Sequence, residues 1–220
     1  MKVCTDACLF GAWIAHAIGQ DDSIRNILDI GTGTGLLSLL LAQKTKAVLD
    51  AVELDEFAAG QAEENFSSSP WKPRLSIFNA GIAEFYPDKQ YDLIISNPPF
   101  FENDLKSGNN AKNAAKHDST LTLEALMLQI RRLLKKDGKA CILIPFHRTI
   151  YMEELIQGNG YFTNHKMLVK QSNRHDFFRT MLIFSGENSA SSNSTLSINE
   201  NDNTYSMAFT GLLKDYYLKL

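Results

Sequence analysis

The chain reads as an α/β protein built on a doubly wound, mostly parallel sheet, and three observations predict it. Short apolar runs alternate with helical patterns along most of the 220 residues. A glycine turn, Gly31-Thr32-Gly33-Thr34-Gly35, directly follows one such run. Another run ends in Asn97-Pro98-Pro99-Phe100, and two consecutive prolines can neither donate to a strand ladder nor continue a helix.

Near the N-terminus, Leu9, Phe10, Trp13 and Ile14 fall on one helix face and are expected to pack on the core. Arg25 to Ile30 is the first strand, and Leu36 to Ala42 is the helix that leaves the glycine turn. Ala47 to Glu53 is the second strand. Asp55 is placed to N-cap a helix running to about Phe66, and Ser67-Ser68-Ser69-Pro70 stops it. Leu75 to Phe78 and Tyr91 to Ser96 are strands three and four. Glu102 to Ser119 is polar and reads as a loop beside a site. Leu121 to Lys136 is a helix closed by Asp137-Gly138, and Ala140 to Ile144 is strand five. Thr149 to Gln157 is helical, and His165 to Lys170 with Phe177 to Phe184 are two final strands, expected to be antiparallel. The Ser/Asn-rich stretch Glu187 to Asn203 suits a flexible hairpin tip or linker, and Tyr205 to Leu220 regains helical periodicity. A single domain over residues 1–220 is expected.

With 44% hydrophobic and 21% charged residues, the composition excludes disorder, collagen-like repeats and coiled coils. The apolar run Leu36 to Ala42 is interrupted by Ser38 and is far short of the ~20 residues a membrane helix needs. No secretory pattern is visible, so the expected compartment is the cytoplasm, with no membrane partner. Cys4, Cys8 and Cys141 read as reduced thiols, and no cluster at ligand spacing calls for a metal.

The glycine turn lets backbone approach a ligand closely and presents N–H groups at a helix N-terminus. A dinucleotide fingerprint needs a third glycine at position 36, where Leu36 stands. Glu53, about twenty residues on, is placed to accept both hydroxyls of an adenosine ribose. Asp29 puts negative charge where a pyrophosphate would be repelled and where the sulfonium and amino groups of S-adenosylmethionine are favoured. The methyl donor, held by Asp29, Gly31, Thr32, Gly33, Gly35 and Glu53, is therefore the expected cofactor.

Asn97-Pro98-Pro99-Phe100 suits methylation of an amino group conjugated to a ring. Such a nitrogen is a poor nucleophile because its lone pair is delocalised. If the Asn97 side-chain oxygen and the Pro98 carbonyl accept its two hydrogens, the lone pair is aimed at the donor methyl. The prolines fix those acceptors, and Phe100 offers a face on which a planar base stacks.

With both turns in hand, the chain resembles the class I, Rossmann-like methyltransferases. Within them it is similar to the bacterial tRNA (adenine-N6)-methyltransferases acting on the adenine 3′ of the anticodon in valine tRNA. The residues that carry the resemblance are Met1 to Asp6 with Gly11-Ala12-Trp13, Asp29 to Gly35, Ala51-Val52-Glu53-Leu54-Asp55, Ser96 to Phe100, Ala115 to Asp118, and Lys214 to Leu218. It implies a seven-stranded, mostly parallel sheet with the last strand antiparallel, S-adenosylmethionine as donor and tRNA as substrate partner. It also implies Thr5 and Asp6 near the methionine end of the donor, Glu53 at its ribose, and Leu54 among the donor-binding residues. Asn79 and Ala80 stand where the family commonly has an Asp at the donor adenine. Asn97, Pro98, Pro99 and Phe100 would hold the target base, and Lys116 and His117 would face RNA. Cys4 and Ala7 replace family glycines. The family also carries residues ahead of the Met-Lys-Val stretch at which this chain begins, which implies a smaller substrate surface. Alternatives are an rRNA guanine-N2 methyltransferase, a protein glutamine methyltransferase and an inactive donor-binding scaffold.

The net charge of -3 conceals an asymmetry. Residues 1–100 hold 7 basic and 13 acidic side chains, residues 101–185 hold 13 and 8, and residues 186–220 hold 2 and 4. An acidic donor half thus precedes a moderately basic half suited to RNA. Arg174 and Arg179, with Lys106, Lys112 and Lys116, are the expected RNA contacts, on a chain expected to be monomeric.

Overall fold

A computed structural model describes residues 4–19, 21–98, 121–202 and 204–219. Helix α1 (Thr5–Ile18) precedes strand β1 (Asn26–Ile30), and the glycine turn leads into helix α2 (Leu36–Ala42). Strand β2 (Val48–Glu53), helix α3 (Glu56–Ser67), strand β3 (Leu75–Asn79) and strand β4 (Tyr91–Ser96) follow. Beyond residue 120 come helix α4 (Leu123–Leu133), strand β5 (Leu134–Pro145), a 3-10 turn (Phe146–Arg148) and helix α5 (Thr149–Gly158). Strands β6 (Phe162–Lys170), β7 (Phe177–Ser185) and β8 (Ser192–Ser197) and helix α6 (Met207–Leu213) complete the described chain.

The strands form one sheet in the order β3-β2-β1-β4-β5-β7-β6-β8. Strands β1 to β5 pair in parallel, β7 runs antiparallel between β5 and β6, and β8 lies parallel to β6. The α/β class and mostly parallel sheet agree with the sequence reading, but there are eight strands rather than seven. The added strand lies inside the Ser/Asn-rich stretch 187–203, read from sequence as a hairpin tip or linker. Its composition is that of a polar edge, yet Leu196 and Ile198 alternate inward and are 3% exposed. Within the strand only Leu196 is buried, Ser192 to Thr195 being exposed, and Ile198 just beyond it continues the inward alternation, so the covered end is too short to stand out from the Ser/Asn background.

Apolar residues alternate between two layers because helices cover both faces of the sheet. Ile27, Leu49, Leu93, Cys141 and Ile183 face α1, α2 and α6, whereas Leu28, Ile94, Ile142 and Leu182 face α4 and α5. Asp55, Thr122 and Ser206 cap α3, α4 and α6 by accepting from the backbone N–H three residues on, at 2.8, 3.2 and 3.1 Å. Helix α4 ends at Leu133, three residues before Lys136, because β5 starts at Leu134 and bulges between the pairs Tyr91–Leu134 and Leu93–Lys139. No helix among the described residues is long and apolar enough to cross a membrane.

Gly35 N-caps α2 in the left-handed region, with φ of 86°, and a Cβ there would lie 2.4 Å from the Phe66 ring. Gly60, within α3, has open space around it. Gly35→Ala should therefore lower stability by about 2 kcal/mol or more, whereas Gly60→Ala should raise it by about 0.5–1 kcal/mol. Urea unfolding of both variants checks this; equal midpoints would refute the conformational argument.

Candidate active site

The carboxyl ends of β1, β2, β3 and β4 converge, and each contributes a polar group. Gly31 and Thr32 donate from their backbone N–H groups to Val52 O at 2.9 and 3.2 Å, tying the glycine turn to β2. The Glu53 carboxylate extends that tie. Its Oε2 accepts from Gly33 N at 2.8 Å and its Oε1 from Asp55 N at 2.9 Å. Gly31, Gly33 and Gly35 all have positive φ, at 70, 60 and 86°, so the turn from β1 into α2 coils tightly around this carboxylate. At the end of β4, Ser96 Oγ donates to Ile30 O at 2.8 Å, holding β4 to β1 where the next residue is Asn97.

Asp29 is fully buried. Its Oδ2 accepts from Thr32 Oγ1 at 2.6 Å and from Ser38 Oγ at 2.8 Å, while its Oδ1 has no hydrogen-bond partner among the described residues. Burial pushes the carboxyl up to about 6, against the opposing pull of the Thr32 and Ser38 hydroxyls and with a smaller push from Glu53. Ser38 was the missed participant. A lone serine inside Leu-Leu-Ser-Leu-Leu-Leu is a signal that could have found it, because a polar side chain on a buried helix face needs a partner.

Asn97 is half-buried and Pro98 buried. The Asn97 Oδ1 atom is buried and unpartnered among the described residues. Asn79 Nδ2 donates to Glu53 O and Leu54 O at 2.9 and 3.2 Å, and Ala80 N to Glu53 O at 3.0 Å. The Asn79 oxygen therefore remains an acceptor beside Leu54, which is 56% exposed. Asp29, Gly31, Thr32, Gly33, Gly35, Glu53, Leu54, Asn79, Ala80, Asn97 and Pro98 thus share one edge. Pro99, Phe100, Lys106, Lys112, Lys116 and His117 lie outside the described residues.

Asp6 and Arg179 are brought together in a way the sequence did not signal. Arg179 Nε donates to Asp6 Oδ2 at 2.8 Å, with 26% and 15% of the two side chains exposed. Asp6, expected near the donor, and Arg179, expected near RNA, engage each other, strapping the first turn of α1 to the start of β7. They are 173 residues apart, a distance no local pattern spans. Thr5 is exposed in that first turn, and Arg174 is exposed in the turn between β6 and β7.

The geometry of Asp29 generates a pH prediction for the ligand-free protein. The folded state binds this proton more readily than the unfolded chain, so the contribution of Asp29 is present below a carboxylate's ordinary value near 4 and is lost as pH rises through about 6. Asp29→Asn should leave urea stability near pH 4 unchanged and raise it at pH 8 by about 2–3 kcal/mol. An identical displacement at both pH values would refute the raised value.

Comparison with known proteins shows which family the chain resembles. Residues 14–174 match the family described as the methyltransferase small domain. The chain is 42% identical to a tRNA1(Val) (adenine(37)-N6)-methyltransferase of Dyadobacter fermentans, covering 100% of this chain and 91% of that protein. It is 36% identical to a protein of the same name from Pectobacterium carotovorum, over 99% and 88%. Among solved structures, a predicted O-methyltransferase from Agrobacterium tumefaciens superposes with a TM-score of 0.73 at 16% identity, over 94% and 95% of the two chains. The glycopeptide N-methyltransferase MtfA complexed with S-adenosylmethionine gives 0.55 at 11% identity, over 80% and 87%. With a family match over residues 14–174 and relatives 42% and 36% identical along 99–100% of its length, the chain belongs to the methyltransferase small domain family.

Proposed function

We propose that the chain transfers the methyl group of S-adenosylmethionine to the N6 amino group of adenine 37 in valine tRNA. The observation that carries this reading is the Asn97 side-chain oxygen, buried and without a partner among the described residues at the carboxyl end of β4. A buried acceptor left unpaired is unfavourable by about 1–3 kcal/mol, and a ligand amine relieves it. The names and full-length similarity of the relatives support adenine N6 as that amine.

The described residues fit the donor. Asp29 Oδ1 is an acceptor unpaired among the described residues under the glycine turn, suited to a nearby cationic ligand, and Glu53 stands at the end of β2 for the ribose hydroxyls. Asn79 Oδ1 and the apolar surface of Leu54 suit an adenine. S-adenosylmethionine supplies an electrophilic methyl on a sulfonium: the S–CH3 bond breaks as the N6–CH3 bond forms. Asn97 Oδ1 and the Pro98 carbonyl accept the two N6 hydrogens and aim the lone pair at that methyl. The excess proton of the methylated amine passes to solvent, so the chain needs no strong base and no metal in this scheme. Thr5 and Asp6 at the head of α1 are assigned to the methionine end, with Asp6 held in place by Arg179. Pro99, Phe100, Lys116, His117 and Arg174 are assigned to the RNA. We place the protein in the cytoplasm with its tRNA, acting as a single-domain monomer.

Asn97→Ala should lower the methylation rate about 100-fold or more while leaving donor affinity unchanged. Mass-spectrometric nucleoside analysis of unmodified valine tRNA after reaction, with calorimetry of donor binding, checks both. Methyl groups found on guanine or on a release factor, or donor binding without transfer to RNA, would overturn the assignment.

A further inference from the structure

An aromatic pair at the carboxyl edge belongs to neither core layer. Phe146 follows β5 on the turn Phe146–Arg148, none of whose residues is buried, and Phe177 opens β7. Their ring centroids lie 5.4 Å apart with planes inclined at 45°, and Lys170 Nζ sits 5.6 Å from the Phe177 centroid. Phe146 is 38% exposed and Phe177 half-buried. Phe178, the next residue along, packs against the core instead, so the strand alternates one aromatic inward and one outward.

The pair is held open rather than left loose. The Thr149 hydroxyl donates to Phe146 O at 2.6 Å. With that proton committed, the Thr180 hydroxyl donates to Thr149 Oγ1 at 2.7 Å, and both threonines are buried. Two β-branched residues thus fix the turn that presents Phe146 against β7. The surrounding charge is cationic: residues 146–148 and 170–177 carry Arg148, Lys170 and Arg174 against the single carboxylate Asp176, and both arginines are exposed.

The register sets the distance to the transfer centre. Ser96 pairs with Ile142 and Pro145 with Arg179, so Phe177 leaves the sheet at the same edge as Asn97. Strands β4 and β7 are separated only by β5, a lateral span of about 10 Å, and the register carries Phe177 about four residues, or ~13 Å, beyond the level of Asn97, which places the pair roughly 16 Å from it, the reach of one or two nucleotides.

We propose that Phe146 and Phe177, with Lys170, form a second base platform, on which an unpaired nucleotide flanking the target adenine stacks while Arg148 and Arg174 meet its phosphates. Stacking on an aromatic beside cations is how single-stranded RNA is held without reading its sequence. The charge complementarity selects RNA over a second copy of this chain. The proposal rests on the reading of the chain as an RNA methyltransferase.

The test compares binding of a fluorescent anticodon stem-loop of valine tRNA to wild type, Phe146→Ala, Phe177→Ala and Phe177→Tyr at one salt concentration. Donor affinity by calorimetry is the control for folding. Each alanine variant should bind the RNA about tenfold or more weakly, the tyrosine variant like wild type, and all four the donor equally. Unchanged RNA affinity in both alanine variants overturns the platform. Parallel loss of donor affinity, or a wild-type dimer that the alanine variants dissociate, overturns it as well. Methylation of N6 is scored separately. Wild-type binding lost in the alanine variants without N6 methylation sinks the enzymatic reading and sustains the platform. Methylation by a wild type whose alanine variants bind normally does the reverse. A wild type that does not bind the stem-loop defeats both.

Discussion

Burying a carboxylate is the constraint around which the glycine-turn end of this protein is arranged. Asp29 lies on the face of β1 that packs against α1 and α2, in a position where its strand neighbours are apolar. An isolated charge there is strongly unfavourable, and the glycine turn is built so that Thr32 and Ser38 supply two hydroxyl donors. Those bonds dictate where α2 begins and why its buried face carries a serine. Glu53 acts on the same turn from the outside, through Gly33 N and Asp55 N. One carboxylate fixes the turn to its helix and the other to its neighbouring strand, so the turn is shaped before any ligand arrives.

A second buried carboxylate has a different meaning. Asp50, on the opposite face of β2, accepts from Tyr91 Oη at 2.7 Å and pairs with Lys89 Nζ at 2.8 Å. Burial and the Asp50 charge push the Tyr91 hydroxyl well above its ordinary value, so it remains a donor at any physiological pH. This network is satisfied and ties β4 to β2 across β1. Asp29 and Asn97 each keep a buried oxygen without a partner among the described residues. Buried polar groups are normally paired; Thr45 Oγ1, Asn164 Oδ1 and Tyr216 Oη also lack a partner among the described residues, but only the Asp29 and Asn97 oxygens lie together at the carboxyl edge beside the glycine turn, and it is that placement which points to a ligand.

The antiparallel end of the sheet brings distant cations and aromatics beside the parallel strands that carry the glycine turn. Placing β7 between β5 and β6 brings Arg179 to the first turn of α1 and Phe177 to the turn after β5. The C-terminal segment closes on the same helix: Tyr217 and Cys8 share a hydrogen bond, and burial is the main cause that raises both groups. Cys141, fully buried in β5, is pushed up by desolvation alone among its main causes, which makes it an inert packing residue.

What the sequence by itself determined was local and periodic. The parallel strands, the capped helix after Asp55, the glycine turn and the Asn97-Pro98 turn were legible because alternation, capping and proline chemistry act over a few residues. The polar strand β8 was not, since Ser and Asn carry no strand signal and only Leu196 and Ile198, once covered by α6, reveal a buried face. The early end of α4 was decided by β5 pairing with β4, which outcompeted helix periodicity over Lys135 and Lys136. Only the tertiary structure joined Asp6 to Arg179, Asp50 to Tyr91 and Phe146 to Phe177, because each pairing follows from strand order and register. Strand order is settled by packing two apolar faces at once, a condition on the whole chain that no short window contains.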